Sequence, residues 1–197
     1  RPWISCTIKR RLIFMERTVR IYITGASCAG VTTLGQALAA SLGLIHVDVD
    51  DFYWLPTHPP FTTKRPPNER VCLIKQALGE QGWVLTGSSD GWGEALMVHV
   101  DLIVFVITPT PVRLQRLDLR EKRLFGERIA PGGDMHEIHV AFREWASQYD
   151  DPRCSGRNRA RHEAWISRQT VPVLRIDGEH TAEQMVAHAM QAVSHIR

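Results

Sequence analysis

Residues 25–33, Gly-Ala-Ser-Cys-Ala-Gly-Val-Thr-Thr, place two glycines four residues apart just before two threonines. Glycine permits backbone angles that turn successive N–H groups inward around an anion. The stretch matches the phosphate-binding loop G-x-x-x-x-G-K-[ST] except at the lysine, which is Val31 here. The hydroxyl of Thr32 suits Mg²⁺. The predicted nucleotide-binding residues are Gly25, Ala26, Ser27, Cys28, Ala29, Gly30, Val31, Thr32 and Thr33.

The segments on both sides of this loop predict a strand before it and a helix after it. Residues 19–24 are mostly apolar, and residues 34–42 have a helical pattern. A helix that starts at the loop would point its free N–H groups and positive dipole end at a bound phosphate. The alternative is a glycine-rich turn from strand to helix that binds nothing.

Carboxylates follow a second apolar run over residues 44–49. Ligands of open α/β sheets bind at the carboxyl ends of the strands. Alternation along a strand would put Asp48 and Asp50 on one face and Asp51 on the other. One of Asp50 and Asp51 could accept a hydroxyl proton or hold Mg²⁺ through water. Between the two, we assign the catalytic role to Asp50 and the metal to Asp51 together with Thr32. A helix cap or a solvated turn remains the other interpretation of these carboxylates.

Cations in two further regions could contact an anionic ligand. Lys64 lies in a proline-rich stretch, residues 56–67, beside Arg65 and two threonines, a composition that suits an anionic or hydroxylated acceptor or an exposed basic loop. The next predicted helix carries four arginines spaced by three, four and three residues, which places them along one side. They are Arg113, Arg116, Arg120 and Arg123. Such arginines either grip phosphate or pair with neighbouring carboxylates.

Residues 126–162 predict a lid. Two loops rich in glycine and arginine surround a short helix there. Segments of this kind close over phosphates and exclude water.

The whole chain, 197 residues, predicts one domain over residues 15–197. Residues 1–14 precede a methionine and are interpreted as an extension outside the fold. Four cysteines without paired or zinc-type spacing predict free thiols in the cytoplasm. No apolar run approaches the roughly 20 residues of a membrane span. A net charge of +3, without aromatic residues among the basic clusters, argues against nucleic acid. A homodimer remains open.

The order of these features resembles the adenylate kinase-like branch of small P-loop kinases, with uridine kinase-like traits in residues 50–53. More narrowly, it resembles bacterial adenylate kinase-like ATPases whose loops replace the lysine. The resemblance implies an α/β three-layer sandwich with a parallel five-stranded sheet in order 2-3-1-4-5, helices on both faces and a lid insertion. It also implies ATP and Mg²⁺, with Asp50 as base or ligand of metal-bound water. Arg116 and Arg120 would grip phosphate.

The expected function is therefore ATP-dependent phosphoryl transfer to a small acceptor such as a nucleoside, a nucleotide or another hydroxylated metabolite. Residues 56–81 would form the acceptor side, and Lys64 would replace the missing loop lysine. The competing hypothesis is a nucleotide-sensing module without turnover, which Val31 favours.

Overall fold

The computed structural model of this chain describes residues 18–196. The predicted extension at residues 1–14 lies outside the described part. The five strands are β1 (Arg20–Gly25), β2 (Ile45–Asp48), β3 (Trp83–Thr86), β4 (Leu102–Ile107) and β5 (Val173–Asp177). The α-helices are α1 (Val31–Leu42), α2 (Asp50–Tyr53), α3 (Pro67–Leu78), α4 (Thr110–Phe125), α5 (His136–Ser147), α6 (Arg159–Ile166) and α7 (Ala182–Ile196).

The strands form one parallel sheet in the order β2-β3-β1-β4-β5, which confirms the expected topology. The inner strands β1, β3 and β4 are apolar and almost wholly buried, as strands covered on both faces of a parallel sheet are, whereas the edge strands β2 and β5 leave Ile45, Arg175 and Asp177 exposed. In this register Thr86 of β3 lies beside Ile23 of β1 and beside Asp48 of β2. The ends of these strands therefore meet at one edge, next to the loop that follows β1.

Helices cover both faces of the sheet. Ile21 and Ile23 of β1 are fully buried in a core that includes residues of α1 and α7. Tyr22, between them in sequence, points to the opposite core, which includes residues of α3 and Trp165 of α6. Burying one large aliphatic side chain in this way contributes about 1.5–3 kcal/mol. The two cores hold the sheet rigid, and the loops at its edge are built on that frame.

Two local expectations need correction. A strand does not continue past Asp48, because α2 begins at Asp50, so the alternating faces predicted for Asp48 and Asp50 do not apply. The sequence pattern also predicts a helix over residues 68–81 capped by Asn68, yet α3 runs from Pro67 to Leu78 and Pro66 occupies the cap position. Proline presets a helical φ and lacks the N–H that a helix start leaves unpaired, so these prolines begin the helix.

Within residues 18–196, none of the helices combines the length and hydrophobicity needed to cross a bilayer. Three cysteines in this part of the chain, Cys28, Cys72 and Cys154, are free thiols.

Candidate functional site

The glycine-rich loop connects the end of β1 to the start of α1 through a tight turn. Gly25 allows a close approach, since a Cβ there would lie 2.6 Å from the carbonyl oxygen of Val106. Gly30, at φ +105°, lets α1 begin at Val31 and offers no capping side chain. The first N–H groups of a helix have no partner within it. Without a side-chain cap or an acidic residue in the first turn, this end of α1 is suited to an anion.

Thr32 and Asp48 come together beside this helix end. The exposed hydroxyl of Thr32 donates to Asp48 Oδ2 at 2.7 Å. The other carboxylate oxygen, Oδ1, accepts from the backbone N–H of Asp50 at 2.9 Å. Asp48 itself is buried, with 9 % of its surface exposed. The end of β2 thus supplies a fixed carboxylate where the end of β3 has only Thr86.

The sequence analysis assigns the metal to Thr32 and Asp51, whereas the carboxylate bonded to Thr32 belongs to Asp48. Asp51 is exposed one residue into α2. Desolvation raises the pKa of Asp51, and the charge of Asp48 raises it further. The side chains of Asp48 and Asp51 are therefore electrostatic neighbours. The signal that could have found Asp48 is its place as the last residue of β2, beside the end of the central strands.

Asp50 opens α2 in a crowded but water-accessible position. Its side chain is exposed, yet surrounding protein atoms desolvate it and raise the pKa of its carboxyl, and the charge of Asp48 adds to the shift. Arg157 and Arg120 act in the opposite direction. An exposed carboxylate with a raised pKa is the kind of group that accepts a proton from a hydroxyl.

Of the arginines predicted on α4, two hold backbone carbonyls near the loop. Arg116 donates to the carbonyls of Ala29 at 3.3 Å and Gly178 at 2.8 Å. Arg113 is 1 % exposed and donates to the carbonyl of Ala146, so it does not join an open stripe with the other three. A buried guanidinium needs several acceptors, and these carbonyls provide them.

Arg120 lies between the glycine-rich loop and α2. Its charge influences both Cys28 in the loop and Asp50 on α2. It donates to Glu121 at 3.2 Å, while its buried Nε has no partner among the described residues. This position agrees with the sequence-based expectation of a phosphate-facing arginine better than that of Arg116 does.

Among the described residues, the contacts of Lys64 do not include the glycine-rich loop. It is exposed, its backbone pairs with Trp54 in an isolated bridge, and its Nζ lies 6.0 Å from the centre of the Tyr53 ring. Tyr53 also packs edge-on against Trp54 and Trp92, so Lys64 lies beside a group of aromatic rings.

Arg157, from the predicted lid, does reach the loop. Its Nη2 donates to the hydroxyl of Ser27 at 2.6 Å, and its guanidinium lies 5.0 Å from the centre of the Trp145 ring. Its buried Nε has no partner within residues 18–196. The sequence analysis includes this residue only as a member of the lid. The signal for its position is Asn158, which follows it and caps α6 by accepting from the N–H of Arg161.

Buried groups fix both ends of the segment that carries Arg157. The hydroxyl of Tyr149 and Nδ1 of His162 lie 2.8 Å apart. Burial lowers the pKa of His162 to about 3, and the charges of Arg157 and Arg161 contribute to this shift. Asn158 is 3 % exposed and donates to the carbonyl of Cys154. The loop over residues 150–158 is therefore held from both sides at the lip of the site.

Comparison with known proteins bears on the fold and on the family. No protein-family model matches the chain. Three solved structures resemble it. A gluconokinase from Sinorhizobium meliloti 1021 has 15 % sequence identity and a TM-score of 0.52, and the match covers 91 % of this chain and 94 % of that one. An unliganded sugar kinase from Janibacter sp. HTCC2649 has 14 % identity and a TM-score of 0.52, with 90 % and 95 % covered, and a shikimate kinase from Bacteroides thetaiotaomicron has 16 % identity and a TM-score of 0.56, with 89 % and 98 % covered. At this identity the likeness establishes the fold alone, which is that of the small P-loop kinases.

One relative is similar in sequence as well. The uncharacterized protein YqaC of Bacillus subtilis (strain 168) is 38 % identical over 175 residues, which cover 88 % of this chain and 97 % of the relative. Because the identity is of that level and the match covers nearly the whole of both chains, the two proteins share one fold along their length. The chain belongs to the same family as YqaC.

Proposed function

We propose that this chain is an ATP- and Mg²⁺-dependent phosphotransferase that acts on a small hydroxylated metabolite, such as a nucleoside, a nucleotide or a sugar derivative. The observation that carries the proposal is the hydrogen bond from Thr32 to Asp48 at the uncapped start of α1. A loop that only turns the chain would have no need of an exposed hydroxyl held by a buried carboxylate at the point where an anion would bind.

The residues present fit Mg²⁺. This ion prefers oxygen ligands and keeps several waters, so a hydroxyl and one or two carboxylates suffice. Thr32 and Asp48 would hold it, with Asp51 as the neighbouring carboxylate that the sequence pattern assigns to it. When bound, the ion supplies positive charge to the outer phosphates.

In the proposed reaction Asp50 orients the acceptor hydroxyl and takes its proton while the acceptor oxygen bonds to the terminal phosphorus of ATP. The bond from that phosphorus to the bridging oxygen breaks, and ADP leaves. The raised pKa of Asp50 supports this role, since a stronger base holds the transferred proton better.

Arg157 is our candidate for the cation that the loop lacks at Val31. It already donates to Ser27 in the loop, and its positive charge lowers the pKa of Asp50. Arg120 is the second candidate on the same ground. Arg116, bound to two carbonyls, would keep the loop in shape, and Lys64 would act on the acceptor side.

The second candidate function is a nucleotide-sensing module, and Val31 is the observation that favours it. The deciding experiment measures ADP formation by the purified chain with MgATP and a panel of sugars, sugar acids, nucleosides and nucleotides, beside calorimetric ATP binding. We expect acceptor-dependent ADP formation that disappears without Mg²⁺. Tight ATP binding with no turnover on any acceptor would replace the enzyme with the sensor.

A further inference from the structure

Arg70, in the first turn of α3, is a buried guanidinium without a carboxylate. It is 5 % exposed, and its Nε donates to the carbonyl of Arg65 at 2.6 Å. Its two terminal nitrogens have no hydrogen-bond partner among the described residues, and no ion pair involves it. These nitrogens do not belong to the buried atoms that lack a partner, so they reach solvent, and their N–H groups are open to an anionic ligand.

Aromatic rings lie against the guanidinium of Arg70. The guanidinium carbon of Arg70 lies 3.8 Å from the centre of the Tyr53 ring and 5.1 Å from that of Trp92. The negative face of an aromatic ring attracts a cation placed over it in this way. These contacts also fix the plane of the guanidinium while leaving its terminal N–H groups free to donate.

The nearby carboxylates are engaged elsewhere. Glu69 lies 3.9 Å from Arg65, and Asp90 lies 2.9 Å from Arg161. Lys64, with its Nζ 6.0 Å from the Tyr53 ring, adds a second positive charge on this side. The carboxylates of Glu69 and Asp90 are therefore paired with other arginines and do not neutralise Arg70.

Arg70 is connected through Tyr53 with Asp50, the proposed base. Tyr53, which Arg70 contacts, and Asp50 stand three residues apart on α2 and so share one face of it. Along a helix this separation corresponds to about 5 Å. An acceptor with its hydroxyl at Asp50 would therefore have its next substituents near the Tyr53 ring and Arg70.

We infer that Arg70 binds an anionic group, a carboxylate or a phosphate, on the acceptor, and that the substrate is an anionic hydroxylated metabolite rather than a neutral one. This inference rests on the proposed function for its account of the hydroxyl, but the anion site itself does not require turnover. Arginine recognises both anions through paired N–H donors, so the shared chemistry is an oxyanion that presents two acceptor oxygens to one guanidinium.

The test titrates the full chain, with its loop already occupied by magnesium and a non-hydrolysable ATP analogue, with inorganic phosphate in one arm and malonate in the other. Tryptophan fluorescence reports binding, because Trp92 lies beside Arg70. We expect saturable binding of at least one anion, weakened about 10- to 100-fold in Arg70→Gln, as for the loss of hydrogen bonds to a charged group. The arm that saturates identifies carboxylate or phosphate as the preferred group.

Arg175→Gln is the matched control. Arg175 also lies over an aromatic ring, 5.6 Å from the centre of Phe105, but it is paired with both carboxylate oxygens of Glu163. It should leave anion binding unchanged. If Arg70→Gln unfolds, Arg70→Lys keeps a cation there without the planar fork and should give an intermediate affinity.

Two results would overturn the inference: no saturable binding of either anion by the wild-type chain, or equal affinity in Arg70→Gln. The fate of the proposed function is separate. Anion binding at Arg70 with no acceptor-dependent ADP formation would remove the enzyme and keep the anion site. Turnover of a neutral acceptor at an unchanged rate in Arg70→Gln would keep the enzyme and remove the anion site.

Discussion

The loop side and the acceptor side of the cleft differ in how their polar groups are partnered. On the loop side Thr32 is bonded to Asp48, and Arg116 is bonded to two backbone carbonyls. On the acceptor side Lys64 and Arg70 lie against aromatic rings without carboxylates. The loop side is therefore organised before any ligand binds, whereas the acceptor side is open to an anionic ligand.

The largest expected effect on kcat comes from Asp50, which is proposed to hold the acceptor hydroxyl next to the ATP bound on the loop side. Asp50→Asn removes the proposed base, and general-base catalysis contributes roughly 10²–10⁴-fold in rate. We expect kcat to fall by about that factor, with ATP affinity retained because Thr32 and Asp48 are unchanged. A kcat within threefold of wild type would remove Asp50 from the mechanism.

Asp50→Asn should raise the free energy of unfolding although it lowers kcat. A carboxyl whose pKa is raised in the folded state binds more protons there than in the unfolded chain, so its ionisation lowers stability as pH rises above the ordinary value. Asp50→Asn should therefore increase the free energy of unfolding at neutral pH and make it less dependent on pH. Denaturant unfolding at several pH values measures this.

The next effect compares the loss of kcat when Arg157 on the loop side and Lys64 on the acceptor side are each replaced. Arg157→Gln should lower kcat by about 10²–10³-fold, the usual loss when one donor to developing charge is removed. Lys64→Gln should change kcat much less and act mainly on the KM of the acceptor. A larger kcat loss in the lysine variant would reverse our assignment of the missing cation.

A rescue experiment sharpens this pair. Val31→Lys restores the loop motif and should recover part of the activity lost in Arg157→Gln, but none of that lost in Asp50→Asn. Because Val31 is 9 % exposed and packs in the core, added guanidinium ion offers a second route. It should raise the rate of Arg157→Ala and leave that of Asp50→Asn unchanged.

The smallest effect concerns the frame of the lid. His162 is neutral when buried, with a pKa of about 3 against 6.5 for the free side chain. The unfolded chain therefore binds more protons between these values, and stability falls as pH drops below 6.5. Between pH 6.5 and pH 5 this residue should account for about 2 kcal/mol of the loss.

A variant isolates that contribution. His162→Gln can still accept from Tyr149 but does not titrate, so its unfolding free energy should change less over the same pH interval. An unchanged pH dependence would show that His162 is not the titrating group. The kcat at pH 8 serves as the check that the lid still positions Arg157.

The sheet could be predicted because the order of loop, strand ends and arginine-bearing helix resembles that of small P-loop kinases, and the resemblance implies the strand order. The loop could be predicted because the spacing of Gly25 and Gly30 is local. The carboxylate bonded to Thr32 could not, because whether Asp48 or Asp51 lies there depends on where β2 ends and α2 begins. Helical periodicity predicts Arg113 on one side of α4 with the other three arginines, and it does not reveal that α5 covers this side chain.

The contact between Arg157 and Ser27 joins residues 130 positions apart. If Arg157 supplies the charge that Val31 lacks, positions 31 and 157 should vary together in relatives although they lie far apart in the chain. A relative with lysine at position 31 should then tolerate the loss of the arginine at 157, and one without either cation should bind nucleotide without turnover.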